Sequence, residues 1–273
     1  MTKKIDYGIS QKFWENRADI NDPIKAITLT SDALAHYRDE TEKRHVFRII
    51  RLTKDMRILD LGCGTGRWAI DFAKTGANVV AVDFSPKLLE IAKKIADEKN
   101  LKSISFFESS AQNFVHGLYD LIFIGGLLCY LNDDDVAKTF KNCKSMLLPQ
   151  GRVVIRDSIS LRKRMIKQGD YPVIYRPPQE LISIAEKNDF KVTYQEDAHP
   201  VVIPQLLFEN VVPMRVRDTV IIQKIYKCSL SLQSMIDFSL IKFFKLKEIN
   251  HKIAKKHCDS RIQQFFILTP RIP

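Results

Sequence analysis

Ile58-Leu59-Asp60-Leu61-Gly62-Cys63-Gly64-Thr65-Gly66 is the stretch whose reading decides the fold. An apolar run ends on an acid and passes into three glycines at alternate positions, ahead of a segment with helical spacing. This predicts a strand, a tight turn and a helix. Glycine leaves the backbone bare where a Cβ would hold a ligand away, and the turn is expected to leave backbone N–H groups open. A second acid, Asp83, ends the next apolar run 17 residues beyond Gly66. A carboxylate at that place can accept both hydroxyls of a ribose.

Short β-branched or apolar runs recur outward from this unit. They are Arg57 to Leu61, Asn78 to Val82, Ser103 to Glu108, Tyr119 to Ile124, Arg152 to Arg156 and Lys191 to Tyr194. Amphipathic segments lie between them, among them Ser85 to Lys99, opened by Ser85-Pro86, and Asp133 to Leu148, opened by three acids. Such alternation predicts a parallel sheet covered by helices. Ser10 to Leu52 reads as helical, with Asp22-Pro23 marking a helix start. After Pro200 the chain turns helical and basic, and Gln263 to Leu268 reads as one more strand. The expected organisation is a helical cap over 1–52, a core over 53–199, a helical basic insertion over 200–262 and a final core strand within 263–273.

With 273 residues, 45% hydrophobic and 27% charged, the chain can bury one large core, and neither disorder nor a fibrous repeat is suggested. No secretory leader or run of about 18 apolar residues is read, so a cytoplasmic protein is expected. Five scattered cysteines without CxxC spacing suggest reduced thiols and no zinc site. Of the net charge of +11, +7 falls from Val201 onward (12 Lys and Arg against 5 Asp and Glu), which leaves the core only mildly basic.

A nicotinamide dinucleotide would call for GxGxxG, and the third glycine position, counted from Gly62, is Arg67. The pattern present is GxGxG. With Val82-Asp83-Phe84-Ser85, Tyr119-Asp120-Leu121-Ile122-Phe123 and Leu148-Pro149-Gln150-Gly151-Arg152 following in order, the region from about Arg57 to Ile159 resembles the class I S-adenosylmethionine-dependent methyltransferases. The resemblance implies a Rossmann-like α/β fold: a seven-stranded, mostly parallel sheet with helices on both faces and the last strand antiparallel. It implies S-adenosyl-L-methionine as cofactor, on Asp60, Gly62, Cys63, Gly64 and Gly66. Asp83 would hold the ribose and Phe84 would pack against adenine. Many relatives place an aspartate before alanine near the end of the third strand. Here the sequence is Ser109-Ser110-Ala111-Gln112, so Ser110 or Gln112 would replace that adenine contact, beside Ala111.

The stretch Ile124-Gly125-Gly126-Leu127-Leu128-Cys129-Tyr130-Leu131 would face the methyl group, with Gly125 on the cofactor and Tyr130 toward the acceptor. It lacks the Asn/Asp-Pro-Pro-Tyr signature of base and glutamine methylating enzymes. The acidic cluster of magnesium-dependent relatives is also missing, so no metal is expected. Transfer from a sulfonium is an in-line displacement that depends on alignment, and a hydroxyl acceptor also needs a base. The candidate bases are Asp157 and His199, and the candidate acceptor-positioning groups are Arg156, Tyr171, Tyr175 and Arg176. Gly169 to Arg176 resembles a segment of bacterial methyltransferases of polysaccharide or secondary-metabolite pathways. In resembling enzymes an aromatic and arginine segment closes over the cofactor, a role open here to Trp14 and Arg17.

The function expected is methylation of a small molecule or glycan, most simply at oxygen and without metal. The alternatives are N-methylation of a small amine, or an RNA methyltransferase favoured only by charge and lacking an RNA-binding module. Arg162 to Lys167 could guide an anionic acceptor or form a solvated helix face. Phe238 to Lys256 could lie on a membrane surface or pack on the core.

Overall fold

A computed structural model describes residues 4–28, 32–198 and 261–271. Three helices open the chain, in the stretch that reads as helical with a start at Asp22-Pro23: α1 (Tyr7–Arg17), α2 (Pro23–Ile27) and α3 (Asp32–Ile49). The break before α2 has a local cause. Asp22 is extended and accepts hydrogen bonds from the amides of Ile24 and Lys25, and Pro23 takes the first helical position, where no N–H is needed. Asp6 caps α1 in the same way, on Gly8 and Ile9.

The core runs β1 (Arg57–Leu61), α4 (Arg67–Ala73), β2 (Asn78–Asp83), α5 (Pro86–Glu98), β3 (Ile104–Glu108) and β4 (Tyr119–Gly125). It continues through a 3-10 turn (Leu128–Tyr130), α6 (Asp133–Ser145), β5 (Leu147–Ser160), β6 (Met165–Lys167), β7 (Val173–Tyr175), α7 (Pro178–Lys187), β8 (Phe190–Asp197) and β9 (Arg261–Pro270). Every strand expected from the sequence lies in one seven-stranded sheet of order β3-β2-β1-β4-β5-β9-β8. β1 pairs in parallel with β2 and β4, and β9 runs antiparallel to both β5 and β8. The fold is therefore the Rossmann-like one that the resemblance implies.

Alternation across the strands divides the core into two layers. Leu59, Leu61, Ile122, Ile124, Val153 and Ile155 face Phe140 of α6 and Leu181 of α7. Ile58, Leu121, Phe123 and Val154 face Val46 of α3 and Trp68 and Phe72 of α4. Both sheet faces are covered, so the strands read as nearly unbroken apolar runs. The strand order turns back between β1 and β4, and ligands of open α/β sheets bind beyond the carboxyl ends at such a point. Gly62 to Gly66 and Gly125 to Tyr130 both lie there.

Two expectations are corrected. Arg162 to Lys167 is no helix face: Met165–Lys167 pairs with Val173–Tyr175 as a hairpin, and Arg164 is bound to Asp133 and Glu180. β5 is far longer than Arg152 to Arg156, because β9 gives it a partner as far as Ser160. The expected insertion over 200–262 falls outside the described residues except for the first two positions of β9. No helix among the described residues is long and apolar enough to cross a membrane.

Candidate functional site

Gly62, Gly64 and Gly66 all adopt left-handed backbone, with φ of +78°, +54° and +78°. A Cβ at Gly64 would come 2.9 Å from Ile27 of α2, and one at Gly62 would come 3.1 Å from Leu127 beyond β4. The loop thus sits between the helical cap and the stretch after β4, with no room for a side chain at Gly62 or Gly64.

Four N–H groups of this loop, expected to be open, are bonded within the protein. Gly62 and Cys63 donate to the carbonyl of Val82, Gly66 donates to that of Cys63, and Gly64 donates to Asp83 Oδ2 at 2.8 Å. Three of these bonds go to backbone carbonyls, and the fourth goes to Asp83, whose Oδ1 also accepts from Ser85 N at 3.0 Å. The Phe84 backbone N–H also donates to this carboxylate, which leaves it at least one further lone pair. Asp60, fully buried, accepts from Ala69 N at 2.9 Å through Oδ2, and its Oδ1 has no partner. Burial, reinforced by Asp83, pushes the Asp60 carboxyl up to about 7, and burial likewise raises Asp83 and the Cys63 thiol.

The segment after β3 lies beside this acid, since Ser109 N donates to the carbonyl of Asp83. Phe84 is half-buried next to it, Ser110 opens a turn capped by Asn113 and Phe114, and Ala111 is buried. The side-chain Oε1 of Gln112 is buried without a partner.

On the other flank Gly125 leaves no room for a Cβ, which would fall 2.9 Å from both Phe123 and Trp68. Arg156 stands opposite Gly125 in the β4–β5 register. Its guanidinium is buried and bonded through Nη2 to Glu42 of α3, a fully buried carboxylate that also accepts from Arg67 at 2.7 Å. Sequence reading passed over Glu42, which looks like any charge on a polar helix. Arg67, the residue that rules out GxGxxG, ties α4 to the cap through Glu42 and Asp39.

Asp157 is 2% exposed and accepts from the amides of Cys129 at 3.1 Å and Ser158 at 2.6 Å. It borders a cavity of about 10 Å³, room for roughly one water, with Cys129, Ile174, Arg176 and Leu181. Burial raises its carboxyl. Arg176, expected on the acceptor, instead clamps the turn after β4: its guanidinium donates to the carbonyls of Leu128 and Leu131 and pairs with Asp133. His199 lies outside the described residues.

Tyr130 and Tyr171 join hydroxyl to hydroxyl, and burial raises both phenols. Trp14 meets Tyr130 edge-on at 5.3 Å and Phe13 lies 4.8 Å from Tyr171, so α1, the turn after β4 and the β6–β7 hairpin converge on one aromatic cluster. Tyr175 is buried beneath it with Val173 and Cys129. Arg17 donates to the carbonyls of Ala26 at 2.8 Å and Thr28 at 2.7 Å, which binds α1 to α2. Asn132 holds the start of the cap through Ile5 and Tyr7, and Thr65 donates to the carbonyl of Pro23 at 3.0 Å. Among the described residues no three His, Cys, Asp or Glu side chains are grouped to hold a metal ion.

An open α/β sheet with a glycine turn at its switch point and an acid ending each of the first two strands defines a nucleoside-binding class of domain. Residues 58–151 match the family described as a methyltransferase domain. Over 183 residues the chain is 27% identical to phosphoethanolamine N-methyltransferase 1 of Triticum aestivum, a match covering 64% of this chain and 35% of that one. It is 38% identical over 105 residues to the demethylmenaquinone methyltransferase of Lactococcus lactis, covering 36% of this chain and 40% of that one. The chain therefore spans well under half the length of these curated relatives. An O-methyltransferase from a trans-AT PKS multienzyme of Brevibacillus brevis, in complex with S-adenosyl-L-homocysteine, superposes with a TM-score of 0.57 at 18% identity. That match covers 90% of this chain and 81% of the other, and at this identity it speaks for the fold.

Proposed function

We propose that this chain transfers the methyl group of S-adenosylmethionine to a small organic acceptor, with a hydroxyl oxygen as the methylated atom. The observation that carries the reading is the left-handed triple-glycine loop set between two buried carboxylates, Asp60 and Asp83. A pyrophosphate would meet repulsion there and find no free amides at Gly62, Cys63, Gly64 or Gly66. A sulfonium with an α-ammonium group meets attraction. Asp83 can accept a ribose hydroxyl on its remaining lone pair, and the orphaned Gln112 Oε1 suits the exocyclic amine of adenine.

Support for a small acceptor comes from the aromatic cluster of Phe13, Trp14, Tyr130 and Tyr171, which offers flat faces and two hydroxyls next to the methyl-facing stretch. The printed names of the relatives point the same way, since each carries a small organic substrate. The in-line displacement needs no metal: the protein aligns the acceptor oxygen, the methyl carbon and the sulfur that departs as a neutral thioether, and Asp157, its affinity for protons raised by burial, takes the hydroxyl proton. A second reading, N-methylation of a small amine, draws on the same rings, whose faces attract an ammonium group.

Calorimetric titration with S-adenosylhomocysteine tests the cofactor half. One-to-one binding by wild type and a loss of about tenfold or more in Asp83→Ala is expected, a charge-assisted hydrogen bond's worth. No binding by wild type would sink it. For the acceptor, labelled cofactor offered with panels of small phenols, alcohols and amines is expected to label a hydroxyl compound, with rate lost in Asp157→Asn. Labelling of amines alone, unaffected by Asp157→Asn, would establish the second reading instead.

A further inference from the structure

We infer that Arg156, held by Glu42, receives the α-carboxylate of the cofactor's methionine moiety. The inference rests on the S-adenosylmethionine reading above and assigns to the cofactor a residue that the sequence places on the acceptor. Three observations carry it. The first is unused donor capacity: the buried guanidinium gives Nη2 to Glu42, while its Nε is buried without a hydrogen-bond partner. Arginine has five N–H donors and is always charged, so a buried one with a single carboxylate bond is under-satisfied.

The second is location. A Cβ at Gly126 would lie 3.2 Å from Arg156 Nη1, and a Cβ at Gly62 would lie 3.1 Å from Leu127. Residues 126 and 127 thus touch the guanidinium and the glycine loop in turn, which puts Nη1 at the end of the site where an amino-acid moiety would meet the loop. Gly126 has φ of +80° and carries no side chain, so the approach to Nη1 is bare backbone.

The third is charge. The carboxylates nearest the loop, Asp60 and Asp83, suit the cationic sulfonium and ammonium but would repel a carboxylate, which must therefore turn toward a cation. Arg67 is bonded to Asp39 and Glu42 and stacked 4.5 Å over Trp68. Among the described residues, Arg156 is the cation at the loop with a nitrogen left over. Glu42 acts through it as a positioning residue, fixing the guanidinium plane from α3 and joining it to Arg67 at the start of α4.

The test compares S-adenosylhomocysteine with 5′-methylthioadenosine, which keeps adenine, ribose and sulfur but lacks the amino-acid part, by calorimetry on wild type, Arg156→Gln, Arg156→Lys and Glu42→Gln. The expected result is a loss of about 10- to 100-fold in S-adenosylhomocysteine affinity for Arg156→Gln, partly restored in Arg156→Lys, with methylthioadenosine affinity within about twofold throughout. Glu42→Gln, which preserves shape should the arginine variants fail to fold, should show a smaller loss with the same selectivity. Equal weakening of both ligands, or no change in either, would overturn the assignment. Failure of wild type to bind S-adenosylhomocysteine would instead remove the cofactor reading on which it stands.

Discussion

Asp60 makes the chain's stability depend on pH in a way that one substitution should remove. It lies wholly buried at the end of β1, its Oδ2 bonded to Ala69 N and its Oδ1 without a partner, and burial, aided by Asp83, raises it from 3.8 to about 7. The folded chain therefore holds this proton more tightly than the unfolded chain does. The carboxyl adds no penalty below its unfolded value, stability declines as pH rises from there, and the decline levels off above about 7. A shift of about three units corresponds to about 4 kcal/mol in full, of which about 2 kcal/mol falls between pH 5.5 and 8.5. Asp60→Asn keeps the size and the acceptor for Ala69 but cannot ionise. Urea unfolding of wild type and variant without ligand at both pH values should show wild type losing about 2 kcal/mol more than the variant; Asp83, present in both, cancels to first order. Parallel losses, or a variant less stable than wild type at pH 8.5, would refute the account of a carboxylate held against its desolvation.

Two further outcomes follow from the clamps around the site. Arg176→Met should lower unfolding stability by about 3–5 kcal/mol, because the carbonyls of Leu128 and Leu131 lose their donor inside the protein and Asp133 loses a partner. A change under about 1 kcal/mol in urea unfolding would show that the turn after β4 is held elsewhere. Tyr171→Ala should red-shift the tryptophan emission and increase acrylamide quenching, since Trp14 loses part of its aromatic cover whereas Trp68, 3% exposed, keeps its own. An unchanged spectrum would place Trp14 outside the cluster.

What could be read in the sequence follows from where the information lies. Strand runs such as Arg57–Leu61 are legible because a strand covered on both faces must be apolar throughout, and the glycines because no other residue tolerates three left-handed positions in five. The α1–α2 break was announced by Asp22-Pro23. By contrast, β6 and β7 have three residues each and lie in a basic stretch, too short for a period to show. Glu42 was illegible for another reason: its partners are 25 and 114 residues away, and only the folded chain brings Arg67 and Arg156 to it. The structural part of Arg176 was illegible too, because the carbonyls of Leu128 and Leu131 that it holds are more than forty residues away in sequence. The bonded amides of the glycine loop were not legible because their acceptors, the Val82 and Cys63 carbonyls and the Asp83 carboxylate, meet them only in the folded turn.

The place of β9 has a consequence for synthesis. Among the described residues β8 joins the sheet only through β9, and β9 follows β8 by more than sixty residues in sequence. On the ribosome, a nascent chain that has already made β1 to β5 therefore exposes one flank of β5, Val153 to Ser160, as an unpaired row of backbone groups until Arg261–Pro270 has been translated. Such an edge invites pairing with a neighbouring chain during the interval before β9 arrives to cover it.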